Sequence, residues 1–236
     1  MRPNTMSLLS EAQKKMSGYA ALFNYRLMNL CVKASPEALL SVEVEVVPGG
    51  EKVPIEKVAQ ACLTPGRDDQ FQIYPFSKEL LFPLLKGLKA VHPEFHIDLQ
   101  DIEESDEDEK EQFILATMPE VDDARHDLLI NGVGLLADSC DSLLKATFSK
   151  YSAQIMLTLA GATPEEMDEA KNQLQDTNDQ HADLCKQFRT DKEQEIEDAY
   201  QAYLAKKAEQ DAQMQEKLAA HNAQAGMQMK FKADDE

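Results

Sequence analysis

The sequence predicts an α+β protein: a long three-helix bundle with a small β/α/β domain inserted after its first helix. Three observations carry that expectation. Apolar residues step by three and four over long stretches at both ends of the chain, the spacing of helices packed against helices. From Ser41 the rhythm changes to strict alternation, with Val42, Val44 and Val46 separated by Glu43 and Glu45, the period of a half-buried strand. Helical spacing returns at length only after Pro119. Strand-like chain enclosed by two parts of a bundle implies an inserted domain, which leaves and rejoins its host at neighbouring points.

Taken in order, Met6 to Val32 predicts the first helix, with a seam of Leu9, Ala12, Met16, Tyr19, Phe23, Leu27 and Leu30. It should stop near Lys33, because Ser35 precedes Pro36 and a residue before proline is pushed out of the helical region. Ser41 to Val47 reads as a strand, and Pro48-Gly49-Gly50 as a turn. Val53 to Ala61 fits either a short strand or a helical turn. Gln70 to Phe76 reads as a strand, and Ser77 to Val91 as a helix on Leu81, Leu84, Leu85 and Leu88, weakened by Pro83 and Gly87. His92 to Leu99 alternates again. Asp101 to Glu111 is the densest acidic run in the chain and reads as a solvated hairpin loop or connector before a strand at Gln112 to Met118.

The second long helix starts after Pro119, with Asp122 and Asp123 in its first turn as the helix dipole favours. Its seam is Leu129, Val133, Leu136, Cys140, Leu143, Thr147, Tyr151 and Ile155. It breaks at Gly161-Ala162, and Thr163-Pro164-Glu165-Glu166 supplies a cap, a first-turn proline and a capping-box glutamate. The third helix runs on Met167, Ala170, Leu174, Thr177, His181, Leu184 and Phe188 and continues, increasingly polar, to about Ala220. The expected division is 1–35 with 118–198 as the bundle, 36–117 as the insert, and 199–236 as a polar helical extension.

Composition narrows the function. The formal net charge is -19 over 236 residues. Nucleic-acid binding draws much of its affinity from Lys and Arg on phosphates, so direct binding to RNA or DNA is expected to be weak or local, and attraction to anionic membranes is disfavoured. No apolar run approaches the ~20 residues that span a bilayer, so no membrane insertion is expected. Cys31, Cys62, Cys140 and Cys185 are scattered without a C-x-x-C pair, which speaks against a zinc site or disulfide framework and for a reducing compartment. The first ten residues carry one Arg and no acid, too little to mark a presequence.

Sharper readings have simpler rivals. His92, Glu94, His96 and Asp98 alternate on one strand face and form a set able to ligate a divalent metal. The expected reading is a solvated face opposite Phe95, Ile97 and Leu99, and no metal is expected. The acidic run lacks the glycine of an EF-hand loop. His181 falls on an apolar seam, where a hydrogen-bonded core histidine is the expected reading. Asp122, Asp123, Glu165 and Glu166 sit at helix starts, where the dipole explains them. There is no Gly-rich phosphate loop, nucleophile elbow or Ser/His/Asp set, so no catalysis, cofactor or small-molecule substrate is expected. The polar tail helix, with a thin seam at Ala199, Tyr203, Ala212 and Leu218, reads either as a solvated helix or as a docking arm.

The order of these elements resembles the ribosome recycling factor family over nearly the whole chain. S-E-A-Q-K-K-M has the look of the family's opening helix, and K-A-S-P-E-A-L-L-S-V-E-V-E-V sits where the family has R-x-G-R-A-x-P, L-L and a strand. V-P-I-E-K-V-A-Q-A, Q-I-Y-P-F-S-K-E-L-L, M-P-E-V-D-D-A-R-H-D-L, A-T-P-E-E and T-D-K-E-Q-E-I follow in the family's order. The resemblance implies a non-catalytic translation factor whose bundle docks on ribosomal RNA. The chain departs from the family where RNA is gripped. Only Lys33 stands near the hinge, and the arginine-rich face of the second helix falls on Leu144, Lys145, Thr147 and Phe148.

Two functions follow as expectations. One is a diverged ribosome recycling factor-like protein that binds an organellar ribosome or its assembly intermediate. The other is an accessory or structural subunit of a large mitochondrial complex that reuses the fold as a protein-protein scaffold. Either way the partners are protein components of a large assembly. The expected docking residues are Lys33, Leu144, Lys145, Thr147 and Phe148, with Tyr200, Tyr203 and Leu204 on the tail. Because the family in eukaryotes works on bacterial-type ribosomes, the resemblance implies a mitochondrial matrix location, with a bacterial-type cytoplasm left open.

Overall fold

In a computed structural model, which describes residues 2–102 and 112–233, three long helices form a bundle and a small sheet domain stands between the first and second. The first helix, α1 (Pro3–Met28), has Pro3 in its first turn, where a missing N–H costs nothing. Its buried residues Leu9, Ala12, Met16, Ala20, Phe23 and Leu27 keep the three-four spacing expected from the sequence. The helix ends short of Val32, at the Asn29 cap. The second, α3 (Asp123–Thr158), is capped by Asp122, whose side chain accepts from the Arg125 amide at 2.8 Å. The third, α4 (Pro164–Ala233), is one unbroken helix of 70 residues, about 105 Å long at 1.5 Å per residue. Thr163 accepts from the Glu166 amide at 3.4 Å at its start. Seams from all three helices meet in one core around Met16, Val133, Leu144, Tyr151, Leu174 and Ile196.

Among its described residues the insert holds six strands and one α-helix. Strands β1 (Glu43–Glu45) and β2 (Lys52–Pro54) form an antiparallel hairpin. Its turn uses Gly49 at φ 76°, a conformation L side chains rarely adopt. The remaining four, β3 (Ala59–Leu63), β4 (Gln70–Pro75), β5 (His96–Asp101) and β6 (Gln112–Thr117), make an antiparallel sheet in the order β3-β4-β6-β5. The helix α2 (Leu81–Val91) tolerates Pro83 because it lies in the first turn. Gly87, which the sequence suggested as a weakness, lies where β1 crosses the helix: a Cβ there would stand 2.9 Å from the Glu43 carbonyl oxygen. A second core gathers Val42, Val44, Phe71, Ile73, Leu84, Leu88 and Ile114, and takes in Cys31, Ala34 and Met118 from the crossings.

Two local expectations are corrected and one is resolved. The first strand is shorter than the alternation implied: Val42 and Val44 are buried but Val46 is exposed. The ambiguous stretch Val53 to Ala61 resolves into the end of β2, a 3-10 turn at Ile55–Lys57 and the start of β3. His92 is not on a strand. It is the C-cap of α2, fully buried, and β5 begins only at His96 after the turn at Pro93. The acidic run from residue 103 to 111 and the last three residues lie outside the described residues.

Candidate functional site

The chain passes between the two domains twice, at residues 30–35 and 118–121, and both crossings are fastened to one turn of the insert. The Ala34 amide donates to the Asp68 carbonyl at 2.6 Å, and the Met118 amide to the Asp69 carbonyl at 2.7 Å. The turn, which joins β3 to β4, is shaped by Gly66 at φ 76°. It is braced by a forked pair in which Arg67 Nε and Nη2 donate to the two Asp69 oxygens at 2.8 and 2.6 Å. That bond holds the Asp69 carboxyl below its ordinary range and raises Arg67.

On the bundle side a single guanidinium holds both crossings. Arg125, in the first turn of α3, donates through Nη2 to the Cys31 carbonyl at 2.7 Å and through Nη1 to the Pro119 carbonyl. Burial lowers its pKa, against the opposing pull of Glu94, but a guanidinium remains charged throughout the working range. Such charge-assisted bonds are the stronger class, so Arg125 fixes where the insert leaves and rejoins the bundle.

The third wall is α4. Asp191, Asp198, Tyr203 and Lys206 face Lys33, Arg67 and Val121 across a cavity of about 780 Å³. The far part of this helix is tied to the start of α3. The Tyr200 hydroxyl donates to Asp123 at 2.6 Å, His126 stacks on the Tyr200 ring at 4.4 Å, and Lys206 pairs with Glu120. The Asp123 bond raises the Tyr200 phenol to about 12. The cleft carries both signs of charge and no paired nucleophile and base. Among the described residues no group of three His, Cys, Asp or Glu side chains could hold a metal ion, and no helix is long and apolar enough to cross a membrane.

A buried polar unit lies behind the crossings. His92 Nε2 is 2.8 Å from the Ala38 carbonyl and Nδ1 is 3.1 Å from Glu94. Two acceptors on one ring favour the doubly protonated form. Burial alone would depress its pKa, but the Cys31 thiol, Glu94 and the Ala38 carbonyl outweigh it and raise His92 to about 10.

The structure brings some of the expected docking residues together and removes others. Lys33 and Tyr203 line the same cleft, and Tyr200 stands beside it. Leu204 is half-buried but does not line it. Lys145 is exposed and paired with Asp141 at 2.5 Å. The other three are a correction. Leu144 is 2% exposed and Thr147 is also buried, both in the bundle core, while Phe148 packs against it. Leu144 and Thr147 close the bundle and present no face to a partner, while Phe148 is half-buried at the edge of the core. His181, expected in the core, is half-buried.

The outward face of α3 instead carries Leu128 and Leu135, 72% and 73% exposed. The sequence reading missed them because it followed the inward seam, although their seven-residue spacing marks one helical face. It missed Arg125 for another reason: nothing in a sequence shows that one side chain will reach two distant carbonyls.

No protein-family model and no curated protein matches the sequence. Among solved structures, the chain is similar to a solution structure of ribosome recycling factor, with a TM-score of 0.64 at 18% identity. The match covers 84% of this chain and 100% of that one. The fold is therefore that of ribosome recycling factor, as the order of motifs implied, held by a sequence that differs at most positions.

Proposed function

We propose that the protein is a non-catalytic, diverged ribosome recycling factor-like protein that acts by binding an organellar ribosome or its assembly intermediate. The observation that supports this best is the fold match, which takes in the whole of the ribosome recycling factor chain, bundle and inserted domain together. The junction adds to it. Two crossings pinned by Arg125 and by one turn of the insert would present both domains to a large partner at a set angle.

Recognition of RNA is reduced in this reading. On α3 no Lys or Arg stands between Arg125 and Lys145. On α1, by contrast, Lys14, Lys15 and Arg26 are all exposed against one acid, Glu11, so phosphate contact is local to that helix. Ribosomal proteins would supply the rest of the interface.

A second reading, an accessory subunit of a large mitochondrial complex, is favoured by Leu128 and Leu135. An exposed apolar face on α3 suits a protein surface better than RNA. One experiment separates the two. The protein, tagged at its native level, is followed through a sucrose gradient of a gentle extract at rising salt. Co-migration with ribosomal particles supports the first reading, and loss at moderate salt assigns the contact to α1 cations. Salt-resistant migration with a non-ribosomal complex replaces it with the second.

A further inference from the structure

The geometry points to the free edge of β3 as a docking site for an extended, basic segment of a partner protein. The sheet order β3-β4-β6-β5 leaves two edges, β3 and β5. They are built differently. β5 reads His96-Ile97-Asp98-Leu99-Gln100-Asp101, with two carboxylates along it, and charge on an edge is how proteins discourage further pairing. β3 reads Ala59-Gln60-Ala61-Cys62-Leu63, with no charge and no proline, in a chain where charged residues are 28% of the total.

The outward groups of β3 follow from its register. Phe76 donates to the Val58 carbonyl and Thr64 to the Gln70 carbonyl, both at 3.0 Å, at the two ends of the β3–β4 ladder. Val58, Gln60, Cys62 and Thr64 therefore face β4, and Ala59, Ala61 and Leu63 turn their amides and carbonyls away from it. Among the described residues no backbone partner on that side is recorded for these three.

Ala59, at the start of the edge, is buried, but the apolar side chains further along it are uncovered. Ala61 and Leu63 lie on the same sheet face as the core residues Ile73 and Phe71, their cross-strand partners, yet both are exposed. A groove of about 450 Å³ runs along the edge, lined by Leu39, Leu40, Ile55, Ala59 and Phe76, with Glu56 as its one charged residue. Phe76 is 62% exposed.

These features select the occupant. A row of unpaired backbone groups is complementary to an extended strand and not to a helix, and alternate apolar side chains of that strand would fill the groove. The net charge of -19 attracts a cationic segment and repels a second copy of this chain. The proposal stands on the insert alone and is independent of the ribosome reading.

The test uses the full chain, labelled with ¹⁵N, and a synthetic peptide alternating lysine and valine. Its controls are the glutamate–valine twin and the same basic peptide N-methylated along one edge, which keeps its charge but cannot pair. The expected result is amide shifts at Ala59, Ala61, Leu63 and Phe76, with at least about tenfold tighter binding of the basic peptide than of either control. The variant Ala61→Pro, which removes an outward N–H and leaves the β4 ladder intact, should weaken binding by a similar factor. Shifts elsewhere on the protein, or equal binding of the N-methylated peptide, overturn the proposal. So does a free protein that sediments as a dimer and becomes a monomer in Ala61→Pro, since the occupant is then a second copy. The N-methylated control decides the matter without relying on the variant's stability.

Discussion

The bundle closes its core with seams from three helices, and among its described buried residues only Thr5 and Thr147 are polar. The inserted domain has an apolar core of its own but adds Gln70 and a fully buried His92, set against Glu94, Cys31 and the Ala38 carbonyl, and it leaves the β3 edge of its sheet without charge. An apolar core responds to lost volume and is indifferent to pH. A core that also buries an ionisable histidine responds to protonation. The two domains can therefore be perturbed separately, and Arg125 is the point at which they are coupled.

The largest expected effect tests the bundle. Leu144→Ala should destabilise the protein by about 2–5 kcal/mol, the range for a buried leucine truncated in a packed core. Chemical denaturation should show the loss with an unchanged dependence on pH. A cost below about 0.5 kcal/mol, the range of surface changes, would return Leu144 to the surface and revive it as a docking residue.

A middle-sized effect tests the insert. The folded-state pKa of His92 is raised from 6.5 to about 10, so its contribution is fully present below about pH 6.5. It is lost as pH rises through that window, because the native state there holds a proton that the unfolded chain has released. Glu94, for which burial is outweighed by its bond to His92, is lowered from 4.5 and acts in the opposite sense. Its contribution is present above about pH 4.5 and lost as pH falls through its folded value. Hydrogen exchange of β4 and β6 amides should speed up, after correction for intrinsic rate, between pH 6.5 and 9, while α3 amides hold. His92→Gln should flatten that difference. Parallel behaviour of the two domains would mean that His92 is neutral in the native state.

The smallest effect on stability, about 1–3 kcal/mol for charge-assisted bonds lost, is expected from Arg125→Ala. Its main consequence should be geometric, since the two crossings lose their common anchor. Small-angle scattering should broaden toward larger interdomain distances, and proteolysis should quicken at residues 118–121. An unchanged scattering profile would assign the interdomain angle to α4 and the Lys206–Glu120 pair instead.

Legibility in the sequence tracked the range of the forces involved. The seams of α1, α3 and α4 were readable because helix burial repeats every three or four residues along the chain itself. The exception is instructive. After Cys140 the seam could step to Leu143 or Leu144, both apolar and both at helical spacing, and the packing of the other helices buried Leu144 more deeply. That single choice turned a candidate docking residue into a core residue. The error at His92 had a local signal, Pro93, which ends α2 and delays β5. The alternation of His92 with His96 concealed it.

By itself the sequence determined the α+β class, the long helices with their caps, the place of the strands between the first two long helices and the net negative charge. Each of these is set by side chains acting on their own neighbourhood or by summed charge. Only the tertiary structure decided that Lys33 and Tyr203 share one cleft, that Arg125 spans both crossings, that His92 is buried with two acceptors, and that β3 is an edge strand exposed from Gln60 to Leu63. Those facts depend on residues distant in sequence meeting in space, and periodicity carries no record of which partners will meet.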